Sequence, residues 1–193
     1  MATRNILKDG EKGLTKKSRV VKDFNNRLHI LLDDMRETLI EANGLGLAAP
    51  QVGVLRRVAL IVDTSIGAGE TDGTDTELSE EDRLYLLNRQ IIELVNPEII
   101  KQDGELSASE GCLSVPGVYG LVTRPEKVLV KAQDRFGKSF EMEVSELAAR
   151  AVCHEIDHLE GVIFTSLVER FLSEEELAEM AAQNEKQGEE ECE

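Results

Sequence analysis

Two histidines one helical turn apart impose the tightest constraint on this chain. His154-Glu155-Ile156-Asp157-His158 lies inside residues 146–160, an alanine-rich stretch that reads as a helix stopped by Gly161. At about 100° per residue, counted from Leu147, His154 falls at roughly −20°, His158 at +20° and Ala151 at 40°. Glu155 falls at about 80°, on the edge of that face. Ala148, Val152, Ile156 and Leu159 occupy roughly 100–180°, and Arg150, Cys153, Asp157 and Glu160 about 220–300°. The helix is therefore expected to turn about half its circumference inward, with both imidazoles on the inward side and Cys153 away from them. Two such imidazoles can hold one metal ion, with Glu155 near enough to reach its water. The competing reading is a pair of histidines satisfied within a core.

Two histidines leave a catalytic ion one protein ligand short. No further histidine follows His158; Leu159-Glu160-Gly161 comes next. Glu160, Glu169 and the C-terminal glutamates are candidates for the third ligand. So is Cys112, in Glu110-Gly111-Cys112-Leu113-Ser114, where Gly111 offers backbone freedom beside the sulfur. Read alone, Cys112 is a small buried hydrophobe. His29, the third histidine, has no partner pattern and reads as structural or exposed.

Around these segments the chain reads as one domain, residues 1–193. Residues 23–43 form an amphipathic helix, with Leu28, Leu31, Leu32, Met35, Leu39 and Ile40 at helical spacing. A stretch of small residues comes next, Gly44-Leu45-Gly46-Leu47-Ala48-Ala49-Pro50-Gln51. It matches a dinucleotide-binding fingerprint, but a helix stands before it where a strand is required, and Pro50 interrupts the segment after it. Strands are expected at 56–63, 91–96, 127–132 and 140–144, with 134–138 connecting the last two. A third helix is expected from Ser173, where Ser173-Glu174-Glu175-Glu176 has the capping-box pattern, fraying before Gly188. Strands and then a helix buried against them indicate an α+β fold.

The net charge of −16 is local. Residues 63–82 hold eight acids and no base, and residues 173–193 hold nine glutamates and one lysine. The remainder is balanced, with 21 acids and 21 bases. The first stretch reads as an acidic surface insertion, and 188–193 as a disordered tail. No cluster of Lys and Arg offers a nucleic-acid face. No run of eighteen apolar residues is present. The N-terminus lacks the apolar block of a secretory signal. Three scattered cysteines suit a reducing, cytoplasmic setting rather than a disulfide framework.

Taken together and in order, Gly44–Gln51, Glu110–Ser114 and His154–Leu159 resemble the peptide deformylase family over roughly residues 20–170. The resemblance implies a compact α+β domain, with antiparallel sheets packed around the helix of the His pair and a C-terminal helix. It implies removal of the N-formyl group from the initiator methionine of new polypeptides. It implies Cys112, His154 and His158 as ligands of one divalent ion. That ion is typically Fe²⁺ in the family, and a soft sulfur with two imidazoles also suits Zn²⁺, Ni²⁺ or Co²⁺. Glu155 is then the proton carrier, and Gln51 and the Leu113 N–H hold the formyl oxygen. The peptide would lie extended beside Leu45, Gly46 and Gly111, with Leu147 and Ala151 walling a methionine pocket. Glu110 is expected to pair with Arg124, and Asp157 to brace the helix or a neighbouring loop. Transient ribosome docking through the C-terminal helix would favour basic residues, and here that helix is acidic. The alternatives are a metalloprotease or another metal-dependent amidase, or a closed structural metal site.

Overall fold

The computed structural model describes residues 2–63, 65 and 90–179. Among these residues the fold comprises two antiparallel sheets and two long helices. Helix α1 spans Asn26–Glu41 and starts where the Asn25 side chain accepts from the Arg27 and Leu28 N–H groups. Then come β1 (Gly46–Ala48), a 3₁₀ turn (Ala49–Val52) and β2 (Val58–Val62). Strands β3 (Ile91–Asp103), β4 (Leu106–Cys112), β5 (Val115–Arg124), β6 (Lys127–Gln133) and β7 (Ser139–Ser145) come after them. Helix α2 spans Glu146–Glu160 and ends at Gly161, which is left-handed (φ 80°) and lies against the Thr15 backbone. Strand β8 (Arg170–Phe171) precedes a helical turn at 174–179.

One sheet runs β1-β2-β3-β6-β7 and the other β4-β5-β8. Every pairing between these strands is antiparallel. Strand β2 shows why the larger sheet is central, because all five of its residues are buried. Val58, Leu60 and Val62 join Leu28, Leu32, Met35 and Leu39 of α1 in one core cluster. Ile61 points the other way, into a cluster with Ala148, Ala149 and Val152 of α2. The period-2 alternation of a strand thus supplies a core on each face of the sheet.

The α+β architecture agrees with expectation, and the differences have physical causes. Helix α1 and β2 are each a few residues shorter than the sequence pattern predicts. Strand β3 runs well past residue 96 because a register shift near Asn96, itself at φ 53°, lets it continue along β6. Strand β4 carries Ser, Glu and Gly residues, and β5 is interrupted by Pro116, Gly117 and Gly120, so neither reads as a strand, yet their backbone pairing is continuous from Leu106↔Arg124 to Gly111↔Tyr119. Helix α2 is buried on nearly all sides rather than half, since both sheets enclose it; even Arg150 is only 6% exposed. The Ser173 capping box forms, with Ser173 N–H donating to Glu176 Oε2 (2.9 Å) and Glu176 N–H to Ser173 Oγ (3.2 Å). Apart from Asp63 and Ser65, the 63–82 stretch lies outside the described residues, as does the 188–193 tail. No helix among the described residues is long and apolar enough to cross a membrane.

Candidate metal centre

Helix α2 delivers His154 and His158 from one side, and the β4–β5 turn delivers Cys112 from the other. A register shift after Gly111 pairs Cys112 with Val115, at the edge of the two-residue turn Leu113-Ser114. Gly111 contributes room, not the freedom expected of it: its φ is not left-handed, but a Cβ there would lie 2.6 Å from Tyr119 Cε1. Cys112 Sγ and His158 Nε2 are 3.2 Å apart. One donor atom each from Cys112, His154 and His158 lies within 4.8 Å of the others, the single such cluster among the described residues. Glu160 is instead paired with Lys17 and Arg57, and Glu169 is exposed on the surface.

The donor set fits a first-row divalent ion, which sits about 2.0–2.3 Å from sulfur and imidazole ligands. His154 turns Nδ1 to Glu110 Oε2 at 3.2 Å, leaving Nε2 for an ion. Burial opposes charge on His154, yet contacts with the Cys112 sulfur and Glu110, and the nearby Glu155, raise its pKa to about 10. Burial and the neighbouring His154 push His158 down to about 3, which keeps it a neutral lone-pair donor.

Beneath Cys112, His154 and His158 lies a network of buried charge. Glu110 accepts from Arg124 Nε (2.8 Å) and Nη2 (3.1 Å) and from Arg150 Nη1 (2.8 Å). Arg124 Nη1 reaches Asp157 at 2.6 Å. Arg150 also donates to the Val122 (2.9 Å) and Leu106 (2.7 Å) carbonyls, tying α2 to the smaller sheet. Burial alone would raise the Glu110 carboxyl, but hydrogen bonds from His154 and Arg124 hold it at about 2. Glu110 is thus an anion at neutral pH that orients His154. The expected pairing of Glu110 with Arg124 and the bracing role of Asp157 are both present. Sequence reasoning misses Arg150. Its signal is a lone arginine one turn before His154 in an otherwise apolar segment.

Glu155 is 3% exposed, and its Oε2 has no hydrogen-bond partner among the described residues. Burial pushes its carboxyl up to about 7. Gly46 packs directly on it: a Cβ at Gly46 would meet Oε1 and come within 2.8 Å of Cγ and Cδ. The close approach expected between Gly46 and a peptide backbone is here made to Glu155. Gln51, 1% exposed, is held by the Ala48 N–H on Oε1 (2.7 Å). Its Nε2 points to Ser114 Oγ (3.2 Å) and Cys112 Sγ (3.6 Å).

A cavity of about 560 Å³ opens over Gln51, Cys112, Leu113, His154 and Glu155. Leu45, Gly46, Gly111, Leu147 and Ala151 all line it. Leu147 lies at the rim, 45% exposed, rather than on a buried wall. Cys153 packs into the core on the α2 side of the large sheet, and burial pushes its thiol up to about 11. His29 is structural: its Nε2 lies 2.9 Å from the Arg135 carbonyl and its ring meets Phe136 edge-on.

An α+β fold that presents a cysteine and two helical histidines beside a buried glutamate, in an open cavity, has the make-up of a metal-dependent hydrolase. The family model of polypeptide deformylase matches residues 3–173. The peptide deformylase of Caldicellulosiruptor bescii is 50% identical over 186 residues, spanning 96% of this chain and 98% of that protein. The peptide deformylase of Acetivibrio thermocellus is 46% identical over 177 residues, 92% of this chain and 90% of that protein. A crystal structure of a peptide deformylase from Legionella pneumophila superposes with a TM-score of 0.72 at 37% identity, covering 99% of this chain and 98% of that one. The chain belongs to the polypeptide deformylase family.

Proposed function

We infer that this protein hydrolyses the N-formyl group from the initiator methionine of newly made polypeptides, releasing formate and a free α-amine. The observation that carries this reading is the buried Glu155 carboxyl, its Oε2 without a hydrogen-bond partner among the described residues, on the wall of the cavity that also holds Cys112 and His154. Cys112, His154 and His158 would hold one divalent ion, Fe²⁺ by family resemblance. When bound, such an ion would supply positive charge that brings the pKa of a coordinated water toward 7.

Glu155 accepts the proton of the attacking water and passes it to the departing amine nitrogen. A carboxyl at about 7 suits both halves of that transfer. Gln51 Nε2 and the Leu113 N–H donate to the formyl oxygen as negative charge builds there. The Ala48 N–H on Gln51 Oε1 fixes which end of that amide faces the cavity. The peptide extends past Leu45, Gly46 and Gly111, and the methionine side chain sits against Ala151 and Leu147. One catalytic domain carries all of this, and a cytoplasmic location follows from the substrate.

The test is anaerobic hydrolysis of formyl-Met-Ala-Ser by the Fe²⁺-loaded protein, set against the acetylated peptide. Fast formate release with little deacetylation is the expected result. Cleavage of internal peptide bonds would instead support the metalloprotease reading. Ribosome docking through the acidic C-terminal segment is not expected, and co-sedimentation abolished by deleting residues 173–193 would reverse that view.

A further inference from the structure

The N-terminal arm crosses the site before α1 begins and grips it at three consecutive residues. The Leu7 N–H donates to the Gln51 carbonyl (2.8 Å), and the Asp9 N–H donates to the Ser114 carbonyl (2.9 Å). Between them, the Lys8 ammonium donates to the Leu113 carbonyl at 2.8 Å. One short stretch therefore stitches the 3₁₀ turn that carries Gln51 to the turn beyond Cys112.

The Lys8 contact falls on a consequential peptide group. Leu113 and Ser114 are the two turn residues, outside the paired positions of β4 and β5. The Leu113 carbonyl and the Ser114 N–H share one peptide plane, and that N–H donates to Cys112 Sγ at 3.4 Å. An ammonium on the carbonyl oxygen limits rotation of the plane. It also draws electron density toward oxygen, which makes the N–H at the other end a stronger donor. The adjoining plane carries the Leu113 N–H that faces the formyl oxygen in the deformylase reading.

We propose that Lys8 is a positioning residue of this site, holding the Leu113 carbonyl so that the Leu113 N–H stays aimed at the formyl oxygen and the Ser114 N–H at the Cys112 sulfur. The first half rests on the deformylase reading; the second does not. Lys8 is exposed, so the contact adds little to global stability and acts on the turn alone.

The test uses the full chain with Lys8→Met, which keeps the stem and removes the donor, and Lys8→Arg, which keeps a cationic donor. With formyl-Met-Ala-Ser, Lys8→Met should lower kcat by roughly tenfold while KM stays within about twofold. Lys8→Arg should retain most of the turnover, and the melting temperature should stay put in both. In zinc-loaded protein, the Ser114 amide proton should move upfield in Lys8→Met, while amides of β7 do not move. Wild-type kcat in Lys8→Met would overturn the proposal. So would a loss confined to KM, which marks a substrate contact, or an unmoved Ser114 resonance. If the wild-type chain releases no formate, the deformylase reading falls, and the Ser114 resonance still decides whether the clamp exists.

Discussion

Gly46→Ala tests the proposed proton carrier, Glu155, without touching any of the three proposed metal ligands. The added Cβ would sit 2.8 Å from Glu155 Cγ and Cδ, and nearer still to Oε1. Carbon atoms in contact prefer about 3.5–4.0 Å, so the carboxylate must retreat by about 1 Å or change rotamer. Gly46 lies in β1 without a left-handed φ, so alanine itself is conformationally acceptable there. Fold stability should change little, because a flexible side chain absorbs the clash. Catalysis should not be spared: a misplacement of about 1 Å typically costs about 100-fold, or roughly 2.7 kcal/mol in the barrier. The expected result is a folded, metal-replete protein with kcat for formyl-Met-Ala-Ser near one hundredth of wild type. Metal content by elemental analysis and a melting curve accompany the kinetics. A Gly46→Ala protein within threefold of wild-type kcat would refute the assignment of Glu155 or its dependence on this contact.

Glu155→Ala should bind metal normally and lose about 10²–10⁴-fold in turnover, checked by kcat at equal metal loading. Gln51→Ala should lose about 10²–10³-fold while keeping metal, and should also melt earlier, since the buried Ala48 N–H is left without an acceptor. Glu110→Gln breaks a buried ion network and should cost about 3–5 kcal/mol in urea unfolding. Glu110 also sets an acid limit. Its carboxyl is held at about 2 against an ordinary 4.5, so its stabilisation is full above pH 4.5 and is lost as pH falls toward 2. Urea midpoints measured across that window should fall for wild type and stay flatter for Glu110→Gln.

The chemistry of this protein was legible because a helix converts spacing into direction. His154 and His158 had to share a face, and Glu155 had to sit beside it, whatever the rest of the chain did. The α+β class followed from patterns that depend only on local periodicity. Other features rest on contacts between segments distant along the chain, which no local pattern encodes. Strands β4 and β5 form through backbone pairing that the Ser, Glu and Gly of one and the Pro and Gly of the other do not advertise. The burial of Arg150 requires both the Glu110 carboxylate and two carbonyls of the smaller sheet. That Cys112, rather than Glu160 or Glu169, stands beside His158 was decided by a register shift in one hairpin and by the ion pairs that occupy Glu160. The sequence by itself determined that His154, His158 and Glu155 share one side of a helix, because covalent connectivity and helix geometry suffice for that. Only the tertiary structure brought Cys112 to His158, pressed Gly46 onto Glu155 and brought Lys8 to the Leu113 carbonyl, because each requires two separately folded surfaces to meet.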